Sequence, residues 1–465
     1  MIEAVLGAHA FEKSEITVIG AGPAGLLTAY RLKKAALNVK VIEARSRSGG
    51  RLFSAPSIQA EFGAWSLANG GKPEMFQALA EELGLEIDYW QAPFKRLGIV
   101  SNQLSDITYR FIQSYDNDPR KARSILEAII LVSKSGQEVL DNFYPDEPFL
   151  KDFTERLLWG YFGSRAAELS AKLYKESIIQ LCLGGMSDVY KQGPQQAPLT
   201  RVKGGNDLFT KKLAEFLRND ITLNKPLTAI ARSTGNRLRL LFEDGAASET
   251  DLLVLALPVS AYKNLTIEEG LVPQDRLESI RSVCPGSITK ILIPALGTAR
   301  PPGYISTNDY GAAMSEHEKF LTLYWRTPFT LDACKAQVAS IAQALKWDLP
   351  TKYIHVETDD LHKDYPQDAV YIIDWVHAPY INGSFCAFSP ANDRFVRAEK
   401  IEGIATSTLF KPSGSIYFVG EAAGTSTPPG SLAAAFESAE HMASLIKQRL
   451  LFLYSNSHQD VQFRL

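Results

Sequence analysis

The chain reads Gly20-Ala-Gly-Pro-Ala-Gly25 at the point that decides its fold. A short β-branched run, Glu15-Ile-Thr-Val-Ile-Gly20, comes before it, and Leu26-Leu-Thr-Ala-Tyr-Arg-Leu32, apolar at helical spacing, follows. This order predicts a strand, a tight turn and a helix. The three glycines permit the turn, the close approach of a phosphate and the packing of the helix on the strand, in the order Gly20, Gly22 and Gly25.

The predicted helix start is suited to an anion. Its first backbone N–H groups have no partner within the helix, and the helix dipole adds partial positive charge there. Pro23 and Ala24 occupy the first turn, where a proline loses no needed donor. Glu43 ends a second strand-like run, Asn38-Val-Lys-Val-Ile-Glu43, roughly twenty residues further on, where a ribose-binding acid is expected. Together these features predict a dinucleotide site.

The next run, Ala44-Arg-Ser-Arg-Ser-Gly-Gly-Arg51, favours FAD over NAD as the dinucleotide. Paired glycines bring the chain close to the ligand, and Arg51 can add a charge-assisted contact to a phosphate. A solvated basic loop is the alternative. The residues of this run that we expect at the cofactor are Ala44, Arg45, Gly49, Gly50 and Arg51.

A second motif, Tyr417-Phe-Val-Gly-Glu-Ala-Ala-Gly424, stands near the other end of the chain. Ser415-Ile-Tyr-Phe-Val-Gly420 is predicted to be a strand, and Pro428-Pro-Gly-Ser-Leu-Ala-Ala-Ala-Phe436 opens a long helix. The start of that helix can stabilise the negative charge of a reduced flavin. We expect cofactor contacts from Gly420, Glu421, Gly430, Ser431 and Leu432. For Glu421 the alternative is a surface acid beside a helix.

With both motifs present, the chain resembles the flavin-containing amine oxidase superfamily, which includes monoamine oxidases, polyamine oxidases and L-amino acid oxidases. Glu15–Arg51 is similar to the beginning of that family's FAD site and Ser415–Glu440 to its end. The resemblance implies an α/β fold, in which a Rossmann-like FAD-binding domain of the glutathione-reductase type is interleaved with an α+β substrate domain carrying a helical insertion. It also implies that Leu227 passes near the adenine.

The predicted domain organisation alternates along the chain. Pro73 to Leu199 is rich in helical periodicity, including Phe76-Gln-Ala-Leu-Ala-Glu-Glu-Leu-Gly84 with its glycine stop, and is interpreted as a helical insertion without a sheet. The expected boundaries are 14–72, 200–283 and 395–450 for the FAD-binding domain, 73–199 and 284–394 for the substrate domain, and 451–465 for a C-terminal tail.

Lys290 is the candidate catalytic residue. It is the one charged residue in Ile288-Thr-Lys-Ile-Leu-Ile293, and burying an ammonium ion is costly without a partner. The resemblance implies that this lysine holds a water near flavin N5 and assists the reaction of reduced flavin with oxygen. Strand alternation leaves another interpretation open, in which Lys290 faces solvent and Thr289 turns inward.

The segment Trp375-Val-His-Ala-Pro-Tyr-Ile-Asn-Gly-Ser-Phe-Cys386 is similar to the part of the family that approaches the flavin ring. Ser384 stands where monoamine oxidases carry the cysteine that bonds FAD, so noncovalent FAD is expected, although a shift of two positions would bring Cys386 there. His377 is interpreted as structural. The expected walls of the substrate pocket are Trp65, Trp375, Tyr380 and Phe385, and core packing is the alternative for aromatic residues at such positions.

The resemblance implies oxidation of an amine or amino acid to an imine that hydrolyses, with molecular oxygen as acceptor and hydrogen peroxide as product. Gly63-Ala-Trp-Ser66 lacks the arginine with which amino acid oxidases hold a carboxylate, and this favours an amine. Arg165, Arg201 and Arg326 keep an L-amino acid oxidase open. An FAD-dependent desaturase or isomerase and a non-catalytic flavoprotein are further alternatives.

The composition is that of a soluble globular protein, with 45% hydrophobic and 22% charged residues and a formal net charge of -3, and the scattered cysteines favour the cytoplasm. No basic stripe indicates nucleic acid. Apolar runs such as Leu252–Leu257 are far shorter than the roughly 18 residues of a membrane span. Met1–Ala10 shows no export signal, and four scattered cysteines are expected to be free thiols. We expect no metal site, and the sequence leaves a homodimer open.

Overall fold

A computed structural model describes residues 14–65, 67, 73–90, 96–100, 103–183, 199–297, 304–306, 312–315, 319–326, 328–359, 364–393, 398–426 and 429–462. The expectation about an export signal rests on Met1–Ala10, which lies outside these residues. Ser66, Pro428 and the side chain of Arg326 also lie outside them, as do the side chains of the predicted tail beyond Phe452.

The described strands are β1 (Glu15–Ile19), β2 (Asn38–Ile42), β3 (Ser54–Ala55), β4 (Ala60–Glu61), β5 (Ile87–Trp90), β6 (Arg96–Val100), β7 (Gln103–Asp106), β8 (Leu199–Val202), β9 (Ile221–Thr222), β10 (Leu227–Arg232), β11 (Leu238–Phe242), β12 (Ala247–Thr250), β13 (Leu252–Leu255), β14 (Thr266–Ile267), β15 (Ile288–Pro294), β16 (Tyr304–Ser306), β17 (Ala312–Ser315), β18 (Phe320–Arg326), β19 (Lys352–His355), β20 (Ala369–Asp374), β21 (Ala398–Ile401), β22 (Ile404–Ser407) and β23 (Ile416–Phe418).

The described α-helices are α1 (Pro23–Lys34), α2 (Pro73–Leu83), α3 (Pro119–Val132), α4 (Gly136–Phe143), α5 (Pro148–Phe162), α6 (Lys175–Leu183), α7 (Leu208–Phe216), α8 (Gln274–Arg281), α9 (Leu331–Leu345) and α10 (Leu432–Gln462). The glycine stop predicted for α2 is confirmed, since Gly84 follows the helix with φ +68°.

Unit 1 comprises residues 1–52, 207–282 and 395–465. Its main sheet has five strands in the order β23-β13-β1-β2-β9, and every neighbouring pair is parallel. Helix α1 packs against α7 and α10. Four of the five residues of β1 are buried, as expected for a parallel strand covered on both faces. The α/β class with a parallel sheet is therefore confirmed.

A second sheet of unit 1 runs in the order β12-β11-β10-β14. Strands β10, β11 and β12 are joined as antiparallel neighbours, while β14 pairs parallel with β10. Burial alternates along β11, which is the pattern of a strand with one face toward a core. This sheet places Leu227 at the first position of β10.

Unit 2 comprises residues 53–206 and 283–394. An eight-stranded sheet, ordered β19-β20-β15-β18-β17-β16-β6-β7, forms its centre. All seven residues of β15 are buried: β18 and β20 pair with its two edges, and its two faces lie in separate core clusters, with Leu292 in one and Ile291 and Ile293 in the other. The domain boundaries expected from the sequence remain a prediction.

The expectation that residues 73–199 are helical without a sheet is wrong in part. Helices α2 to α6 do lie there, but β5, β6 and β7 interrupt them. Strand β6 pairs in parallel with β16, far later in the chain, and β5 pairs with β8. A strand that pairs with a distant segment need not interrupt the helical spacing of apolar residues around it, so the sequence pattern did not reveal these strands.

Three further observations concern membranes, cysteines and metals. Within the described ranges, no helix combines the length and the apolar character needed to cross a bilayer. The four cysteines are free thiols, as expected. Among the described residues, no group of three or more His, Cys, Asp or Glu side chains is arranged to hold a metal ion.

Candidate functional site

The glycine turn after β1 is set by close packing. Gly20 has φ +105°, and a Cβ placed on it would lie 2.5 Å from the carbonyl oxygen of Ala256. A Cβ on Gly25 would lie 1.9 Å from the carbonyl oxygen of Gly20. Neither position has room for a side chain, so both glycines are required by the fold of the turn.

The start of α1 has the features of an anion site. Gly22 is its N-cap, with no side-chain cap and no acidic residue in the first turn, and Pro23 begins the helix as predicted. A Cβ on Gly22 would meet nothing within 4 Å. The first N–H groups of the helix therefore have no side-chain cap, and the space beside Gly22 is open, which fits a diphosphate.

Glu43 is fixed at the end of β2, where it is 8% exposed. Its two carboxylate oxygens accept hydrogen bonds from the backbone N–H of Ala21 at 2.6 Å and of Arg45 at 3.0 Å. Burial raises the pKa of this carboxyl above its ordinary value, and the two amides and the charges of Arg45 and Arg47 lower the shift without reversing it. The carboxylate therefore has a defined orientation beside the glycine turn.

The chain leading into β10 runs beside Glu43. The Glu43 N–H donates to the carbonyl of Thr222 at 2.8 Å, and the Lys225 N–H donates to the Glu43 carbonyl at 2.9 Å. These bonds place the segment before Leu227 next to the predicted ribose-binding acid, which supports a position for Leu227 near the nucleoside.

The loop from Gly49 to Arg51 folds against the glycine turn. The Gly49 N–H donates to the Ala21 carbonyl at 2.7 Å. A Cβ on Gly50, which has φ +56°, would lie 3.1 Å from the Cα of Gly22. Arg47, which sequence reasoning did not single out, is 3% exposed and donates to the carbonyl of Gly50 at 2.8 Å. Its buried guanidinium holds the loop in shape.

Arg51 and Glu421 form an ion pair that joins the first and last motifs. Nη1 of Arg51 lies 2.6 Å from Oε1 of Glu421, and their side chains are 27% and 11% exposed. The sequence predicted a cofactor contact for each residue separately. The structure brings the two together, so the surface alternative for Glu421 does not describe its position.

The last motif leads into α10 as expected. The N–H of Gly430 donates to the Glu421 carbonyl at 3.1 Å. The helix begins at Leu432, and the hydroxyl of Ser431 accepts from the N–H of Ala434 at 3.0 Å, which makes Ser431 a capping residue. The N–H groups of Leu432 and Ala433 are the first two of the helix, and neither can bond within it.

In unit 2, Lys290 is 4% exposed and Thr289 is 2% exposed. The alternative in which Lys290 faces solvent is therefore wrong. Its Nζ donates to the carbonyl of Gly63 at 3.1 Å and lies 5.9 Å from the centroid of the Tyr324 ring. Both contacts compensate part of the cost of burying the ammonium ion.

An aromatic cluster that includes Tyr324 lies beside Lys290. Trp159, Ile288 and Tyr324 are buried in it, and the predicted pocket residues Trp65 and Phe385 pack against it together with Tyr161. Sequence reasoning missed the three rings on α5 and β18, because an aromatic residue on a helix or strand carries no signal that separates a pocket wall from core packing.

The other two predicted pocket residues lie apart from this cluster. Trp375 belongs to a core cluster with Phe53 and Phe62, and its Nε1 donates to the Phe62 carbonyl at 3.1 Å. Tyr380 is 44% exposed. His377 is exposed on the surface with Nδ1 2.7 Å from an Asp374 oxygen, which agrees with a structural interpretation.

Three other side chains named from the sequence can be placed. The guanidinium of Arg165 lies 6.0 Å from the centroid of the Trp159 ring, at the edge of the aromatic cluster. Arg201 pairs with Asp88 at 3.7 Å. Ser384 is 6% exposed, and Cys386 is fully buried.

The family model for flavin containing amine oxidoreductases matches residues 23–447. The chain belongs to this family. It is therefore a flavin-dependent oxidoreductase that acts on amines, and the resemblance inferred from the two motifs is confirmed.

Individual relatives are distant. An L-amino-acid oxidase of Siganus canaliculatus is 23% identical, over 95% of this chain and 87% of the relative. Lysine-specific histone demethylase 1 homolog 3 of Arabidopsis thaliana is 24% identical over 61% of this chain, which spans only 20% of that relative. The solved structure of wild-type putrescine oxidase bound to putrescine is 18% identical with a TM-score of 0.69, covering 94% of this chain and 99% of that one. This last likeness shows the fold.

Proposed function

We propose that the protein binds FAD noncovalently and uses it to oxidise a small amine that carries no carboxylate. The observation that carries the proposal is the uncapped start of α1 at Gly22, open to an anion, with the Glu43 carboxylate fixed beside it. When bound, FAD would accept a hydride from the carbon next to the amine nitrogen and pass the electrons to oxygen, giving hydrogen peroxide. The imine product would hydrolyse in water.

Unit 1 would hold the nucleotide. The N–H groups at the start of α1 and the guanidinium of Arg51 would bind the diphosphate, and Glu43 would accept hydrogen bonds from the ribose hydroxyls. The start of α10, at Leu432, would stabilise negative charge on the flavin ring. A glutathione-reductase-type arrangement of this unit is part of the proposal, supported by its parallel sheet.

Unit 2 would supply the groups around the substrate. Lys290 is held by the carbonyl of Gly63 and would fix a water molecule for the reaction with oxygen. Trp65 and Phe385 would form apolar walls that exclude bulk water. A neutral amine needs no general base for hydride transfer, so His377, exposed and bound to Asp374, has no assigned role.

The resemblance, in which Ser384 stands where monoamine oxidases carry the cysteine that bonds FAD, supports noncovalent attachment. Acid precipitation tests it. The supernatant should become yellow and the pellet should stay white. Colour in the pellet would instead identify a covalent link and direct attention to Cys386.

The proposal is tested by mixing the purified yellow protein, under anaerobic conditions, with a panel of amines and amino acids. Loss of the visible flavin absorbance with an amine, followed by peroxide release on admitting air, is the expected result. A protein whose absorbance no amine or amino acid bleaches would not be an oxidase of this kind.

An L-amino acid oxidase is the second candidate. The observation that favours it is Arg165, whose guanidinium lies over the Trp159 ring and can bind a carboxylate. Faster bleaching by amino acids than by the matching decarboxylated amines would select it.

The free thiols support a reducing compartment such as the cytoplasm, and gel filtration would decide between a monomer and a homodimer.

A further inference from the structure

Two neighbouring residues of α10 are polar and buried, and the proposed function assigns neither a role. Glu437 is 5% exposed and Ser438 is 4% exposed. A buried carboxylate is costly unless hydrogen bonds compensate its lost hydration. The partners of Glu437 therefore indicate what the charge does.

Those partners lie in the loop before α10. Oε1 of Glu437 accepts from the Ser426 N–H at 3.0 Å and Oε2 accepts from the Thr425 N–H at 3.2 Å. The hydroxyls of Thr425 and Ser426 also donate to Oε1. Four donors from two adjacent loop residues thus converge on one buried carboxylate.

Ser438 and Gly430 hold the two ends of the same loop. The hydroxyl of Ser438 accepts from the N–H of Gly420 and lies 3.0 Å from the Gly420 carbonyl as well. The Gly430 N–H donates to the carbonyl of Glu421. The loop from Gly420 to Gly430 is consequently tied to α10 at its start and at its middle, and closes on itself at its end.

We propose that Glu437 is a positioning residue for the cofactor: by anchoring Thr425 and Ser426 it sets the places of Glu421 and of the start of α10. The inference rests on the proposed function, because it requires that these two features contact FAD. It assigns Glu437 no contact with the flavin itself.

The test compares Glu437→Gln with Glu440→Gln. Glu440 lies one turn further along α10, where its carboxylate pairs with Arg31 at 2.8 Å, and it is the matched control. Glu437→Gln keeps the side-chain shape but has one acceptor oxygen for four donors. FAD affinity is measured by quenching of flavin fluorescence, and hydrogen exchange of the Thr425 and Ser426 amides is followed in FAD-free protein.

For Glu437→Gln we expect faster exchange of both amides, a shifted visible spectrum of the bound flavin and a Kd for FAD raised about tenfold, equivalent to about 1.4 kcal/mol. Glu440→Gln should match the wild type in all three. A merely structural role would lower the melting temperature and leave the flavin spectrum and Kd unchanged, and that result would overturn the proposal.

Ser426→Ala removes the hydroxyl of Ser426, one of the four loop donors, and keeps the test open if Glu437→Gln does not fold. Its effect on FAD binding should not add to that of Glu437→Gln in the double variant, since both break one interaction. Full additivity would contradict the anchoring. A wild-type protein that binds no FAD would refute the proposed function. In that case, comparing the exchange rates of the Thr425 and Ser426 amides in the wild type and Glu437→Gln would still test whether Glu437 anchors the loop.

Discussion

At the scale of single residues, the buried carboxyl of Glu43 makes the stability of the FAD-free protein depend on pH. Burial raises its folded-state pKa above the ordinary value of 4.5. The folded protein then keeps a proton that the unfolded chain has released. The associated stability is present below pH 4.5 and is lost as the pH rises through the folded-state pKa.

The measurement is the free energy of unfolding of the FAD-free wild type and of Glu43→Gln, between about pH 5 and pH 8. The wild type should lose stability relative to the variant, by at most about 1.4 kcal/mol per pH unit. The amide of Glu43→Gln shifts the free energy of unfolding by the same amount at every pH, so only the slope of the difference against pH tests the prediction. A difference that stays flat or rises with pH would show that Glu43 is ionised throughout.

Lys290 yields a prediction on catalysis. Lys290→Met keeps the side-chain stem and removes the ammonium ion that donates to Gly63. Because Lys290 belongs to unit 2 and the nucleotide contacts are proposed in unit 1, FAD should still bind with unchanged Kd. Turnover with an amine should fall at least about tenfold, chiefly in the reaction with oxygen.

Stopped-flow mixing of the reduced variant with oxygen measures that step. Lys352→Met is the control, since Lys352 lies in β19 of the same sheet, is exposed and pairs with Asp368. Equal rates for Lys290→Met and the wild type would remove Lys290 from the reaction.

Sequence reasoning worked best for residues whose role depends on their neighbours in the chain. Gly22 and Glu43 lie where the strand, turn and helix pattern predicted, because that motif is local. Glu437 and Arg47 were missed. Each is a buried ionisable side chain whose partners include backbone groups of a loop, and such contacts appear only when the loop has its folded shape.

At the scale of elements, the turn between β1 and α1 separates two roles of glycine. A Cβ added at Gly22 would meet nothing within 4 Å, and Gly22 has φ −77°, which any residue can adopt. The free energy of unfolding of FAD-free Gly22→Ala should therefore lie within about 0.5 kcal/mol of the wild-type value. The new methyl group should nevertheless raise the Kd for FAD at least about tenfold, by holding the diphosphate off the backbone.

Gly25→Ala is the contrasting variant. Its Cβ would lie 1.9 Å from the Gly20 carbonyl oxygen, so the fold itself should lose about 1–3 kcal/mol. Chemical denaturation and FAD titration of both variants measure the two effects. If Gly22→Ala bound FAD as tightly as the wild type, the backbone at Gly22 would not face the diphosphate.

The segment carrying Phe385 depends on a close approach to Gly286. A Cβ on Gly286, which has φ +71°, would lie 2.1 Å from the Phe385 carbonyl oxygen. Gly286→Ala should therefore displace Phe385, raise KM for the amine and leave the Kd for FAD unchanged. The free energy of unfolding of Gly286→Ala should fall for two reasons: the alanine must adopt a positive φ, which strains its backbone, and the clash with Phe385 adds about 1–3 kcal/mol.

Gly84→Ala isolates that strain. Gly84 has φ +68°, lies in the same unit and has nothing within 4 Å of an added Cβ. Steady-state kinetics and denaturation of the two variants provide the comparison. Equal losses in both would mean that the 286 segment moves aside freely and does not position Phe385.

Elements were predicted well where one segment carries the whole signal, as in β1, α1, β15 and the start of α10. Strands β6 and β7 were not, because they join the eight-stranded sheet through the pairing of β6 with β16, which lies far away in the chain, and β7 pairs in turn with β6. A strand of this kind is defined by its partner more than by its own pattern.

At the scale of the whole molecule, the main sheet of unit 1 takes its strands from three separate parts of the chain. Strand β1 lies between β2 and β13, and β13 pairs with β23. The proposed FAD contacts likewise come from distant segments, around Gly22, Leu227 and Glu421. A ligand that binds all three should stabilise the sheet as one cooperative unit.

Hydrogen exchange in the presence and absence of FAD measures this effect. At FAD concentrations about one hundred times Kd, the amides of β1, β13 and β23 should gain the same protection, about 2.7 kcal/mol, if they exchange through unfolding of the whole unit. NAD at the same concentration is the control and should give none. Protection confined to β1 would mean that only the first motif binds the nucleotide, and the contacts assigned to Glu421 and the start of α10 would then be wrong.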